Sequence, residues 1–258
     1  MYNRLMKVLF FDIDGTLAVK KKIVPSALEA LKKLKEKGYK TFICSGRPPF
    51  YVKEMFEDLV SGYICCNGRY IVYEGEKLFG LSFGSDELKE YIKLIDSKKA
   101  GALFVSDDET YAYNMDENFL EFCTKQYRED RVIPFNSQQN IYTFDLFFKC
   151  SFDEISETFK DKLVLNNHGD HGSCDCSTIS FNKGSAIEYV LNYFHIAKED
   201  AYAFGDGLND IEMMEAVYNS YAMDNACERL KEVARFKAPD VLNDGFYKTM
   251  LKEKLVNE

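Results

Sequence analysis

Apolar and polar positions follow two different rhythms along this chain. The run VLFF at 8–11 is continuous and apolar, the pattern of a strand covered on both faces within a parallel sheet. It runs directly into the acids of FFDIDGTL (10–17). PSALEALKKLKEKG (25–38) follows, with Leu28, Leu31 and Leu34 spaced for one helical face, Pro25 near its start and Gly38 at its exit. KTFICSG (40–46) reads as a second strand, 50–59 as a second helix and GYICC (62–66) as a third strand. This βαβαβ order predicts a parallel sheet with helical crossovers.

From about residue 82 the rhythm changes. GALFVS, TYAYNM and YTFDLFFKC are aromatic-rich and partly alternating, interleaved with helical patterns near 85–98, 117–128 and 153–160. Two of these strands flank DDE as a hairpin would, which predicts an antiparallel sheet with helices. At NKGSAIEYVLNYF (182–194) the first rhythm resumes, with Ile187, Val190, Leu191 and Phe194 on one face. AYAFGDG then reads as a strand, LNDIEMMEAV as a helix, NSYAM as a short strand, and two further helices close the chain. The expected fold class is α/β: a Rossmann-like parallel core made of 1–81 and 182–258, interrupted by an inserted α+β cap at 82–181. No internal repeat or low-complexity tract interrupts this pattern.

Composition narrows the function classes. The 258 residues are 46% hydrophobic and 29% charged, as in a soluble globular protein with a real core. The net charge of −9 comes without a Lys/Arg stripe, which argues against a nucleic-acid partner; KKK at 20–22 reads as a solvated turn. No apolar stretch approaches the ~20 residues of a membrane span, so no membrane partner is expected. Asp12 and Asp14 interrupt the first apolar run, leaving no signal peptide there. The expected location is therefore the cytoplasm, with the eight cysteines reduced and Cys44 and Cys65 packed as small hydrophobes. The oligomeric state is open, a homo-oligomer included.

Why should a core strand end in two acids, when burying a carboxylate is costly unless it is paired? In an open parallel sheet, ligands bind beyond the carboxyl ends of the strands. The core strands end there in DIDG, CSGR, CCNG and GDGLND, which gathers Asp12, Asp14, Asp206 and Asp210 at one rim. Four carboxylates repel one another unless a cation neutralises them. Hard oxygen donors without His or Cys favour Mg²⁺, commonly partnered by substrate phosphate.

DIDGTL, CSGRP, NKGSA and GDGLND, in this order, resemble the four motifs of the haloacid dehalogenase-like phosphohydrolases. The long insert between the second and third resembles the capped, Cof-type branch, and the likeness extends to AMDNA and NDGF near the end of the chain. The resemblance implies a Mg²⁺-dependent phosphatase. Asp12 would be the nucleophile that forms an aspartyl-phosphate, and Asp14 the general acid/base. Ser45 would hydrogen-bond a phosphoryl oxygen, and Lys183 would offset charge on Asp12 and the phosphate. Asp206 would join Asp12 and the main-chain carbonyl of Asp14 on the metal. Asp210 would orient the metal's shell, and Asn209 would contact phosphate or substrate. A covering insert implies a small phosphorylated metabolite, sugar phosphates first, as the partner. Alternatives are a phosphosugar mutase or disaccharide-phosphate phosphatase of the same superfamily, and an inactive binding protein with a phosphatase-like core.

Other stretches carry weaker signals. NNHGDHGSCDC (166–176) has His168, His171, Cys174 and Cys176, but not at the spacing of common structural zinc sites. A polar turn feeding a strand fits better, and the resemblance places it near a cap loop, making His168, Asp170 and His171 candidate substrate contacts. Gly46 and Arg47 follow Ser45, with Arg47 either facing the leaving group or forming a surface ion pair. Asn67 and Gly68 resemble the branch's NGA element except that Arg69 replaces its small residue, adding either a cationic contact or a solvated side chain. Asp224 stands where the family often has glycine.

Overall fold

The computed structural model describes residues 6–127, 131–136, 138–169 and 172–257. The chain begins with β1 (Val8–Phe11), the short hairpin β2 (Ala18–Val19) and β3 (Lys22–Ile23), then α1 (Pro25–Glu36), β4 (Lys40–Cys44), α2 (Pro49–Phe56) and β5 (Gly62–Cys65). A second hairpin, β6 (Tyr70–Tyr73) and β7 (Glu76–Gly80), leads into the insert. The insert contains α3 (Ser85–Ser97), β8 (Gly101–Val105), β9 (Thr110–Tyr113), α4 (Glu117–Tyr127), β10 (Val132–Pro134), β11 (Thr143–Phe147), α5 (Phe152–Phe159), β12 (Leu163–Asn167) and β13 (Ser173–Thr178). The chain then returns through α6 (Lys183–Phe194), β14 (Ala201–Gly205), α7 (Ile211–Ala216), β15 (Asn219–Met223), α8 (Glu228–Val233), β16 (Phe236–Ala238) and α9 (Gly245–Lys252).

The core sheet runs β16-β15-β14-β1-β4-β5-β6-β7, parallel from β16 to β5 and antiparallel at the β6–β7 edge. All four residues of β1 are fully buried because the strand is covered on both sides. Leu9 and Phe11 join the layer of α1 and α9, while Val8 and Phe10 join that of α6 and α7. That two-sided burial is why VLFF shows no alternation. In α1 the buried face is Ala27, Ala30, Leu31 and Leu34, a full i, i+3, i+4, i+7 stripe, with Leu28 only half-buried at its edge. In α6, Ile187, Val190 and Leu191 are buried as the spacing predicts, with Phe194 partly buried beside them.

Two core elements go beyond the sequence expectation. The β6–β7 hairpin turns at Glu74 and Gly75, both with positive φ, and extends the sheet antiparallel. The three-residue β16 completes the opposite edge.

The insert folds as a separate six-stranded sheet, β10-β9-β8-β11-β13-β12, antiparallel except for the β10–β9 pair. The hairpin across DDE is the β8–β9 pair. One face packs with α3 and α5 around Phe104, Phe144, Leu146, Cys174 and Cys176. The other face looks toward the carboxyl ends of the core strands, where Phe50 of α2 packs with Leu103, Cys123, Tyr127 and Phe147. The fold is thus a Rossmann-like core with an inserted α+β cap, as the pattern of elements predicts. Among the described residues, no helix is long and apolar enough to cross a membrane.

Candidate active site

The site is assembled by neighbouring strand ends. β1 and β14 pair in parallel with Phe11 opposite Phe204, and the Asp12 amide continues the ladder to the Phe204 carbonyl at 2.9 Å. Asp12 and Asp206 therefore leave the sheet side by side. Gly15, at φ +81°, lets the loop after β1 close against Asp206: a Cβ there would stand 2.1 Å from Asp206 Oδ2. Thr16, fully buried, donates its hydroxyl to Asp206 Oδ1 at 3.3 Å.

Lys183 is the first residue of α6, whose N-cap Asn182 accepts from the Ser185 amide at 3.1 Å. An ammonium at a helix N-terminus opposes the dipole and needs anions nearby. Two are present: Lys183 Nζ donates to Asp12 Oδ1 at 2.9 Å and to Asp210 Oδ1 at 2.6 Å. Lys183 is 1% exposed and Asp210 fully buried. The other Asp210 oxygen accepts from the Asp206 and Gly207 amides, both at 3.0 Å, so Asp210 fixes both the lysine and the turn that carries Asp206.

Burial raises the Asp12 carboxyl well above its usual range; Lys183 opposes this, while Asp210 and Asp206 reinforce it. Burial and then the Asp210 charge push Asp206 up to about 7. Burial disfavours the Lys183 ammonium, but Asp12 and Asp210 outweigh it and hold its pKa well above normal. Asp12, Asp206 and Asp210 each offer a carboxylate oxygen, and these atoms lie within 4.8 Å of one another. A crowded, partly desolvated set of hard oxygen donors with a single lysine is short of positive charge, and a divalent cation fits it.

Above this crevice lies a cavity of about 420 Å³ between core and cap. Its core side includes Asp12, Asp14, Ser45, Gly46, Arg47, Asp206 and Asn209. Ser45 is 4% exposed and its Oγ accepts from the Arg47 amide at 3.2 Å. Arg47 grips Asp14 Oδ2 through Nε at 3.1 Å and Nη2 at 2.7 Å, a half-buried ion pair. The same guanidinium lies over the rings of Tyr51 and of Tyr127 from the cap, 5.2 and 5.9 Å from their centroids. Arg47 thus forms an ion pair and also lines the cavity.

Of the cap-loop candidates, His168 lines the cavity, its Nδ1 3.1 Å from Ser173 Oγ and its Nε2 3.6 Å from Asp175 Oδ1. Asp170 and His171 lie outside the described residues. Among the described residues, the stretch supplies the end of β12 and the start of β13, which pair antiparallel. Cys174 and Cys176 point into the cap core, away from His168, and among the described residues the only metal-competent cluster is the aspartate one. Arg69 is buried rather than solvated, and it is not among the residues that line the cavity. It is 4% exposed, lies over the Phe83 ring at 4.4 Å and donates to Thr178 Oγ1 at 3.2 Å, where the chain passes between core and cap. The AMDNA turn forms with Asp224 exposed and without left-handed backbone, and its neighbour Asn225 donates to the Gly15 carbonyl at 2.8 Å.

Sequence reasoning missed the cap's inward acids, Asp145 and Asp175, and the buried link made by Asn67. Asn67 Nδ2 donates to Asp175 Oδ2 at 3.0 Å and to the Cys176 carbonyl at 3.3 Å, joining the core to β13. The available signal was one acid inside each apolar strand, FDL and CDC, at the register that leaves its neighbours in the core.

A Rossmann-like sheet carrying an aspartate crevice at its switch edge, roofed by an inserted cap, defines a capped α/β enzyme with an acid-centred metal site. The chain belongs to the haloacid dehalogenase-like hydrolase family, which it matches over residues 9–250. It is similar to YkrA of Bacillus subtilis (strain 168), at 30% identity over 246 residues, 93% of this chain and 94% of that one. It is also similar to the 5-amino-6-(5-phospho-D-ribitylamino)uracil phosphatase YwtE of the same organism, at 26% over 265 residues, 90% and 92% of the two chains. Among solved structures it resembles the subclass IIB sugar phosphatase BT4131, with a TM-score of 0.81 and 26% identity over 97% of this chain and 100% of that one. The family, the fold and the aspartate cluster make it a phosphoric monoester hydrolase acting on small phosphorylated metabolites.

Proposed function

We propose that this chain is a Mg²⁺-dependent phosphatase of the Cof-type branch, hydrolysing sugar phosphates foremost, through an aspartyl-phosphate on Asp12. The site would be held by the core 1–81 and 182–258 and covered by the cap 82–181; among the described residues, no strand of the core sheet lies within that insert. Asp12 and Asp206 would hold the metal with the Asp14 carbonyl, and Asp210 would act behind them, its oxygens already engaged by Lys183 and two backbone amides. When bound, Mg²⁺ supplies charge neutralisation between phosphate and carboxylates. The oxygen-only donor set supports that choice of ion.

An Asp12 oxygen attacks phosphorus while the bond to the leaving oxygen breaks, and Asp14 delivers a proton to that oxygen. Asp14 then takes a proton from water as the water attacks phosphorus, the bond to Asp12 breaks and phosphate is released. Lys183 is fixed beside Asp12, and Ser45 and Asn209 line the cavity where the phosphoryl oxygens would lie. Arg47 holds the Asp14 carboxylate at the mouth of the leaving-group space. A 420 Å³ cavity suits a small ester rather than a macromolecule. BT4131 is a sugar phosphatase, which supports that substrate class, and YwtE is a 5-amino-6-(5-phospho-D-ribitylamino)uracil phosphatase, which supports a small phosphate ester more broadly. Eight free cysteines support action in the cytoplasm.

The observation that carries this reading is Lys183 buried between Asp12 and Asp210 beside the carboxylate cluster. The test is hydrolysis of p-nitrophenyl phosphate, expected with Mg²⁺ and abolished by EDTA or by Asp12→Asn. Hydrolysis in ¹⁸O-labelled water, with label in the released phosphate, separates this reaction from phosphotransfer. Activity that survives Asp12→Asn would refute the reading.

A further inference from the structure

The cap side of the cavity is built from one row of cross-strand neighbours. Leu103 on β8 stands opposite Asp145 on β11, Asp145 opposite Asp175 on β13, and Asp175 opposite Asn166 on β12. All four line the cavity. Like charges directly opposite on antiparallel strands are destabilising, so this row is held against its own repulsion. Asp175 is partly compensated: Asn67 donates to one oxygen at 3.0 Å and His168 lies 3.6 Å from the other. Asp145 makes no hydrogen bond or ion pair among the described residues. Burial lifts its carboxyl to about 6, with the push of Asp175 and against the pull of His168 and then of Arg47. At the end of the row, Asn166 Nδ2 is buried without a hydrogen-bond partner.

The cations near the phosphoryl end relieve this row only in part, Arg47 alone acting on Asp145. Lys183 is engaged by Asp12 and Asp210, and Arg47 by Asp14. Two carboxylates therefore share His168 and the field of an Arg47 already paired with Asp14, which leaves an excess of at least one negative charge among the described cavity residues. A neutral leaving group that displaced water here would leave a carboxylate desolvated and uncompensated, which is expensive. A cationic one would neutralise it. Beside the acids, Leu103, Phe122 and Phe147 form an apolar wall, so the group need not be charged throughout.

We propose that the leaving group accepted by this cavity carries a protonated amine, as in an aminosugar or aminoalkyl phosphate, whose ammonium is received between Asp145 and Asp175. The phosphatase reading above supplies only the phosphate half of this ligand. Two matched pairs test the other half: glucosamine 6-phosphate against glucose 6-phosphate, and 3-aminopropyl phosphate against propyl phosphate. With Mg²⁺ at pH 7, kcat/KM for the amine should exceed that of its partner by roughly 10- to 100-fold in at least one pair, the worth of a hydrogen bond to a charged group. Asp145→Asn should cut that ratio at least about tenfold. Ratios near one in both pairs, or a ratio unmoved by Asp145→Asn, overturn the proposal. Should Asp145→Asn fail to fold, the wild-type ratios decide alone. Absence of turnover with every ester would sink the phosphatase reading, and calorimetric binding of the same pairs to the wild-type protein would then decide this one.

Discussion

Lys183→Met offers the sharpest test of how the site is held. The substitution keeps a long, unbranched side chain and removes the charge, so packing changes little while two hydrogen bonds of 2.9 and 2.6 Å disappear. Asp210 is fully buried and Asp12 8% exposed, so both carboxylates stay in place without their cation. Removing one partner of a buried ion pair costs about 3–5 kcal/mol, because the remaining charge is stranded. For a chain of this size that corresponds to a melting temperature lower by roughly 6–20 °C. The sign with pH follows from the acids. Without the lysine, the folded-state pKa of Asp12, already raised by burial, rises further above the unfolded one, so the folded form gains stability by taking up a proton as pH falls. The deficit of Lys183→Met should therefore be largest at pH 7–8 and shrink toward pH 5. Differential scanning calorimetry of both proteins in EDTA across that range measures it, and p-nitrophenyl phosphate turnover should fall at least about 100-fold. A variant that melts within about 1 kcal/mol of the wild type at pH 7.5 would show that Lys183 does not neutralise the buried acids.

Two further outcomes follow from local geometry. Gly15→Ala forces a side chain into positive φ and toward Asp206 Oδ2, 2.1 Å from its Cβ position, so a strain of about 1–3 kcal/mol and displacement of Asp206 are expected; the variant should keep its circular dichroism spectrum and lose at least tenfold in kcat. Asp175 lies first among the groups that raise the His168 pKa above its ordinary value, so any stability His168 contributes is present at low pH and lost as pH rises through that raised value. An NMR titration should find its imidazole above 6.5 and Asp175→Asn should lower it; an unchanged value would remove Asp175 as the cause.

What could be read from the chain and what could not divide along physical lines. Asp12 and Asp206 were legible because strand ends are local features and the parallel topology brings such ends to one rim, whereas Lys183 was legible only through the resemblance of its motif. Asp145 and Asp175 were not, because their meeting depends on a strand register between segments 30 residues apart, and register is a non-local property. The β6–β7 hairpin escaped notice for a related reason: YIVY reads equally as a continuation of the third strand region until its antiparallel pairing is seen. Arg69 illustrates a different limit. A charged residue after Gly68 reads either as a cationic contact or as a solvated side chain, and its burial against the Phe83 ring and the Thr178 hydroxyl shows only in the fold.

Asn67 carries a lesson for anyone wishing to retarget this enzyme. Its backbone amide bonds the Ser45 carbonyl at 3.2 Å, while its side-chain amide reaches across to Asp175 and the Cys176 carbonyl. Transplanting a roof from a cousin would sever this strut unless the recipient scaffold were altered at 67 to match whatever replaces Asp175. The roof and its base are joined at this seam, and redesign has to proceed on both banks at once.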